Sequence, residues 1–127
     1  MKYEKLFEPG KIGRVELRNR VVMTAMGTHM GDWNGCTNDG QIRFYEERAK
    51  GGCGLIIPEF TSVDGESGHC DMILLGLYDK RHIKSFELIC EAVHCHGAKI
   101  FAQLHHGGRE APPACNGGKQ AMAPSVE

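Results

Sequence analysis

Apolar and polar positions change period several times along this chain, and each change marks an element. From Lys5 to Arg18 they alternate around Pro9-Gly10 and Gly13, which predicts a small hairpin with Ile12, Val15 and Leu17 on one face, covering one end of the fold. Val21, Val22 and Met23 make a run too short for a helix and β-branched enough for a buried strand, with Met23 in the core. The run passes into Thr24-Ala25-Met26-Gly27-Thr28-His29-Met30-Gly31, small and hydroxylated residues with two glycines, where backbone can approach a ligand closely. Helical spacing follows. Asn38 and Asp39 are candidate caps, Ile42, Tyr45 and Ala49 share a face, and Gly51-Gly52 stops the helix.

Gly54-Leu55-Ile56-Ile57-Pro58 is a second buried strand. Residues 59–80 form a long connection, and connections of that length are uncommon unless functional or partly structured. A second helix runs from Lys80 or His82 to His96, with Ile83, Phe86, Ile89, Cys90 and Val93 as its buried stripe and Gly97 as its stop. The third strand follows at once, in the stretch Ala98-Lys-Ile-Phe-Ala-Gln-Leu-His-His-Gly-Gly-Arg109. Its first half is apolar and its second half polar, so Gln103, His105, His106 and Arg109 fall at the strand's C-terminal end, where parallel α/β folds bind ligands. A polar tail runs from His105 to Glu127.

The order is therefore a hairpin, then β, α, β, α, β. Such alternation implies right-handed crossovers in a parallel sheet and an α/β class. Three strands and two helices leave strand faces without partners, so the expectation is one domain piece, residues 1–127, that opens a larger fold and is marginally stable alone.

Composition adds limits. The 127 residues are 41% apolar and 24% charged, with a net charge of −1, and there is no run of like charges to suit nucleic acid or an anionic membrane. No stretch approaches ~18 apolar residues and the start lacks an apolar signal core. The expected setting is the cytoplasm, without nucleic-acid or membrane partners. Six cysteines at irregular spacing, without a secretion signal, are expected to be reduced. Cys90, His94, Cys95 and His96, with His105 and His106, contain one i,i+4 pair able to hold a metal but no paired knuckles; the expectation is no metal site. Nothing near Cys53 or Cys70 would lower a thiol pKa.

Five segments together carry a resemblance. Leu17-Arg-Asn-Arg-Val-Val-Met23 with Ala25-Met26, Arg48-Ala-Lys-Gly-Gly-Cys-Gly-Leu-Ile-Ile57 with Glu59, Ala92-Val-His94, Gly97-Ala-Lys99, and Gln103-Leu104 with His106, Gly108 and Arg109 resemble the old yellow enzyme family of NADH:flavin oxidoreductases, nearest its 2,4-dienoyl-CoA reductase and bile-acid-inducible enoate reductase branch. The resemblance implies the N-terminal part of a TIM (β/α)8 barrel, an incomplete barrel with a bottom-capping hairpin and about three parallel strands. It implies FMN across the C-terminal strand ends, contacted by the backbone of Ala25 and Met26, by Gly27 beside the ring, by Phe60, and by the Gln103 amide at the pyrimidine edge. It also implies NAD(P)H as reductant, a small unsaturated carbonyl compound as substrate and a homo-oligomer, and it leaves open FAD and an iron-sulfur cluster beyond residue 127, where the family's substrate-anchoring pair and proton-donating Tyr would lie. Gly27 stands where many members carry a Thr or Cys that hydrogen-bonds the flavin, a role open to Thr28 or Thr24, and Phe60 is bulkier than the usual residue.

Other readings of the same residues stay open. Gln103 can be an interior amide paired by protein groups; His106 and Arg109 can brace loops, Arg109 through carboxylates such as Glu59; and His29 is a loop residue or a substrate contact. Beside the flavin enzyme stand a non-catalytic partial barrel binding a partner through open strand edges, and a small His/Cys metal-binding protein.

Overall fold

In a computed structural model, which describes residues 3–125, a one-turn helix α1 (Glu4–Phe7) precedes the hairpin of β1 (Gly10–Ile12) and β2 (Val15–Leu17). The strands are antiparallel, Ile12 faces Val15 across the two-residue turn, and Leu17 is buried. The alternating pattern had assigned the whole of Lys5–Arg18 to the hairpin; α1 takes its first residues, and Pro9 separates the two.

After the hairpin come β3 (Val22–Met23), α2 (Asp39–Lys50), β4 (Leu55–Ile56), β5 (Thr61–Ser62), α3 (Arg81–His94), β6 (Lys99–Ile100) and β7 (Leu104–His105), then 3-10 turns at Gly108–Glu110 and Pro113–Cys115. Strands β3, β4 and β6 form one parallel sheet in that order, with Val22, Leu55 and Lys99 in register and Met23, Ile56 and Ile100 beside them. The two crossovers are α2 and α3, as the alternation required. Strand pairing breaks at Glu59–Phe60 and at Phe101–Gln103, and then resumes as a second parallel pair, β5 with β7. The long connection is thus partly structured: Ser62 also bridges to Gly76. The sequence pattern does not show this second pair, because Thr61-Ser62 lacks apolar character.

The core lies between sheet and helices. Tyr45 and Ala49 of α2 meet Ile89 and Val93 of α3 over Ile56, Leu75 and Ala98, with Met23, Ile42, Phe44, Phe86 and Ile100 packed partly against them. Asn38 caps α2 by accepting from the Gln41 N–H at 3.0 Å. In α3 the expected stripe is corrected at its start, since Ile83 is 65% exposed while His82 and Ser85 are buried. Polar anchoring explains the difference. The Thr37 N–H donates to Ser85 Oγ at 2.6 Å, and His82 accepts from the Asp79 N–H at 3.2 Å while its Nε2 lies 2.9 Å from Asn34 O. These bonds turn that face toward the 34–37 loop and rotate Ile83 out.

Two residues after the hairpin fasten the lower end. Arg18 gives its guanidinium to the carbonyls of Ala49 in the last turn of α2, and of Cys53 and His96 just beyond α2 and α3, where a cation is favoured by the exposed carbonyl dipoles. Asn19 Nδ2 donates to Gly52 O at 2.7 Å and its Oδ1 accepts from the Val21 N–H. A Cβ on Gly54 would stand 2.4 Å from Asn19 Oδ1, so only glycine fits at the entry to β4. Val21, just before β3, and the strand residues Val22 and Leu104 remain exposed. No helix among the described residues is long and apolar enough to cross a membrane.

Candidate active-site face

Because β3, β4 and β6 run parallel, their C-terminal ends open on one face. Pairing carries up to that edge: the Ile57 N–H donates to Met23 O at 2.9 Å and the Phe101 N–H to Ile56 O at 3.1 Å. Beyond it lie Thr24–Thr28, Pro58–Phe60 and Ala102–Gln103.

Glu59 organises this rim from beneath. Its carboxylate is fully buried and accepts from the Thr28 N–H at 2.7 Å, the Thr28 hydroxyl at 2.6 Å and the Leu75 N–H at 3.2 Å. Three donors compensate the cost of burying a charge. The Glu59 N–H donates to Tyr45 Oη at 2.9 Å, and burial, opposed in part by that hydrogen bond, pushes the Tyr45 phenol up to about 12. Gln41 Nε2 donates to Thr28 Oγ1 at 3.2 Å, while Gln41 Oε1 is buried without a partner among the described residues. The expected brace between Glu59 and Arg109 is not formed: Arg109 is exposed, 3.7 Å from Glu110, and Glu59 is filled by donors from below. The Thr28 hydroxyl proton goes to Glu59, so Thr28 has no hydroxyl hydrogen left to donate beside Gly27. A carboxylate directly after an apolar strand was the available signal for this network; its partners were not.

The Phe60 ring occupies the side of Gly27 where a side chain would project. A Cβ on Gly27 would lie 3.4 Å from Phe60 Cε1, so the large ring at one position goes with the absent side chain at the other. On its far side Phe60 packs against the His105 ring at 4.7 Å between centroids. Burial, with the neighbouring His106 charge, pushes the His105 imidazole below its usual value. Cys70 Sγ lies 3.2 Å from His105 Nε2, yet burial pushes the thiol up, which leaves it unactivated, as expected.

Ala25 is half-buried and Met26 exposed on the segment after β3. Gln103 is exposed; its carbonyl accepts from the Thr61 N–H at 2.8 Å, next to Phe60, and among the described residues its side-chain amide has no protein partner. His29, with the left-handed backbone φ of 52°, is exposed and pairs with Asp71 at 3.3 Å. His106 braces a loop: it lies 3.5 Å from Asp64 and accepts from the Gly108 N–H at 3.0 Å. The Ser67 hydroxyl, the Glu66 N–H and His106 together hold the Asp64 carboxyl below its usual range. A concavity of about 1080 Å³ lies at the opposite end, between the hairpin and the strand starts at Val22 and Lys99, away from these groups.

A capping hairpin and helix-linked parallel strands whose C-terminal ends open on one face define the N-terminal part of a (β/α)8 barrel. The chain belongs to the NADH:flavin oxidoreductase / NADH oxidase family, which matches residues 5–126. It is 42% identical over 123 residues to an NADH oxidase of Thermoanaerobacter brockii, covering 97% of this chain and 19% of that protein. It is 41% identical over 128 residues to a cinnamate reductase of Clostridium sporogenes, covering 97% and 19%. The old yellow enzyme homologue from Zymomonas mobilis superposes with a TM-score of 0.85 at 30% identity, over 97% of this chain and 34% of that one. The chain thus spans about one fifth of the length of the two curated relatives.

Proposed function

We propose that this chain supplies the first part of the flavin face of an FMN-dependent NAD(P)H oxidoreductase that reduces the activated C=C bond of a small unsaturated carbonyl compound. The observation that carries the reading is the exposed Gln103 amide, without a protein partner among the described residues, at the end of the central strands' face near Gly27 and Phe60. Family membership supports the flavin, and the cinnamate reductase among the relatives supports an alkene as acceptor.

The residues present fit FMN. Gln103 offers two donors and one acceptor, which complement the mixed donors and acceptors of a pyrimidine edge. Gly27 presents no side chain toward a planar ring, and the backbone of Ala25 and Met26 borders the same place. When bound, FMN supplies the hydride chemistry between NAD(P)H and the alkene. The chain's part is to bind and orient: a Gln103 donor at an edge that gains negative charge on reduction favours the reduced form, and Glu59 fixes the loop that carries Gly27. Tyr45, neutral and fully buried, holds Glu59 and does not reach the face to deliver a proton.

The test uses the full-length protein that carries this chain. Purified protein should contain FMN, and under anaerobic conditions NADH or NADPH should bleach it, with colour returning on addition of a cinnamate-type acceptor. Reoxidation by oxygen alone, with no turnover of any unsaturated carbonyl compound, contradicts the alkene assignment; absence of flavin contradicts the whole reading.

A further inference from the structure

On the outer side of the lower end, three side chains of different chemistry converge. Glu46 of α2 and Cys95 and His96, just past α3, place a carboxylate oxygen, a thiol sulfur and an imidazole nitrogen within 4.8 Å of one another. We propose that they form a binding site for a thiophilic divalent cation of the Zn²⁺ type, joining the last turns of α2 and α3.

The spacing suits a tetrahedral ion. Zinc bonds of about 2.0–2.1 Å to nitrogen and oxygen give a ligand-to-ligand edge of about 3.3 Å, and about 3.6 Å to sulfur. His96 Nε2 and Glu46 Oε1 already stand 3.4 Å apart, so the nitrogen and oxygen need almost no movement. The thiol closes the remaining distance by rotating away from the Ala92 carbonyl, to which it donates at 3.1 Å, and Cys95 is exposed with room to do so.

The backbone beneath is fixed. The Cys95 N–H donates to Glu91 O, the His96 N–H to Val93 O and the Gly97 N–H to His94 O, and Gly97 ends the helix at φ 75°. Arg18 holds the His96 carbonyl. On the other side, Glu46 adjoins Tyr45, whose packing against the α3 side chains sets the distance between the helices.

Donor chemistry selects the ion. One sulfur, one nitrogen and one carboxylate oxygen, with a fourth position left for water, is a zinc-type set, whereas Mg²⁺ and Ca²⁺ favour oxygen alone. Coordination needs the thiolate, so the Cys95 proton passes to solvent as the metal binds, with no redox change. The grouping differs from the one the sequence spacing offers. Cys90 is half-buried, with its thiol pushed up by burial, and it joins no such cluster among the described residues.

Equilibrium dialysis of the full-length protein against ZnCl₂, beside Cys95→Ser, His96→Gln and Glu46→Gln, tests the site. The wild type should hold one more zinc per chain than Cys95→Ser or His96→Gln, and Glu46→Gln should hold it more weakly. Flavin content should be the same in all four, because the cluster lies at the end away from the strand C-termini. Zinc should also protect Cys95, but not Cys36, from alkylation by iodoacetamide, read by peptide mass spectrometry. Equal zinc content in wild type and Cys95→Ser, or alkylation of Cys95 at one rate with and without zinc, overturns the proposal.

Discussion

Thr28 gives both its backbone N–H and its hydroxyl to a single oxygen of Glu59, at 2.7 and 2.6 Å. The other carboxylate oxygen takes the Leu75 N–H, so one buried side chain pins the segment after β3 to the long connection after β4. Replacing Glu59 by Gln leaves one acceptor oxygen where two served three donors. A buried donor left unpaired costs about 1–3 kcal/mol, and that loss should appear as a lower denaturant midpoint of the full-length protein with an unchanged slope. FMN should also wash out faster, because the freed loop carries Ala25, Met26 and Gly27.

Gly27 and Phe60 should behave as a coupled pair. Gly27→Thr places branched atoms against the Phe60 ring, and overpacking of this kind costs about 1–3 kcal/mol. Phe60→Ala makes the opposite change, opening a gap beside His105. Residues in contact are not additive. The double variant Gly27→Thr/Phe60→Ala should therefore be more stable than the sum of the two losses, measured by thermal unfolding with flavin bound. Simple additivity would show that the ring and the missing side chain do not share one space.

Arg18 should matter more than an exposed arginine usually does. It caps carbonyls in the last turn of α2 and just beyond α2 and α3, and hydrogen bonds from a charged group are worth about 1.5–3 kcal/mol each. Arg18→Lys keeps the charge but not the fork, so it should recover less than half of the stability lost in Arg18→Ala.

His105 gives a pH dependence with a definite sign. Burial holds its folded value below the usual ~6.5, so the unfolded chain takes up the proton first as pH falls. The contribution is fully present above ~6.5 and is lost as pH drops from there toward the lowered folded value. The His105 imidazole should titrate by NMR below the usual ~6.5, and His105→Phe should flatten the loss of stability between neutral and mildly acidic pH.

Much of this architecture was legible in the sequence because it rests on local signals. The stops at Gly51-Gly52 and Gly97, the Asn38 cap and the short β-branched runs gave the helix-linked parallel sheet, and the five resembling segments gave the family. What was not legible depends on contacts between distant residues. Ile83 faces solvent because Ser85 and His82 are anchored by a loop 48 residues away in sequence, and spacing alone cannot register that. The Glu59 network was hidden for the same reason: Thr28, Tyr45 and Leu75 come from three separate stretches of the chain, and the polarity of Thr61-Ser62 conceals the strand character of β5. The pattern already marked Gln103 and the segment holding Ala25, Met26 and Gly27 as ligand-side positions, Phe60 came from the resemblance alone, and the fold places all five at strand C-terminal ends.

A crystal structure of the full-length protein with FMN bound is the most direct examination of that face. The flavin should lie across the C-terminal ends of β3, β4 and β6, with its ring beside Gly27 and its pyrimidine edge within hydrogen-bonding distance of the Gln103 amide. Gln103→Ala should then lose flavin or reduce it more slowly. A flavin seated elsewhere, or a Gln103 amide out of reach of it with flavin content and reduction unchanged in Gln103→Ala, would contradict the proposed site.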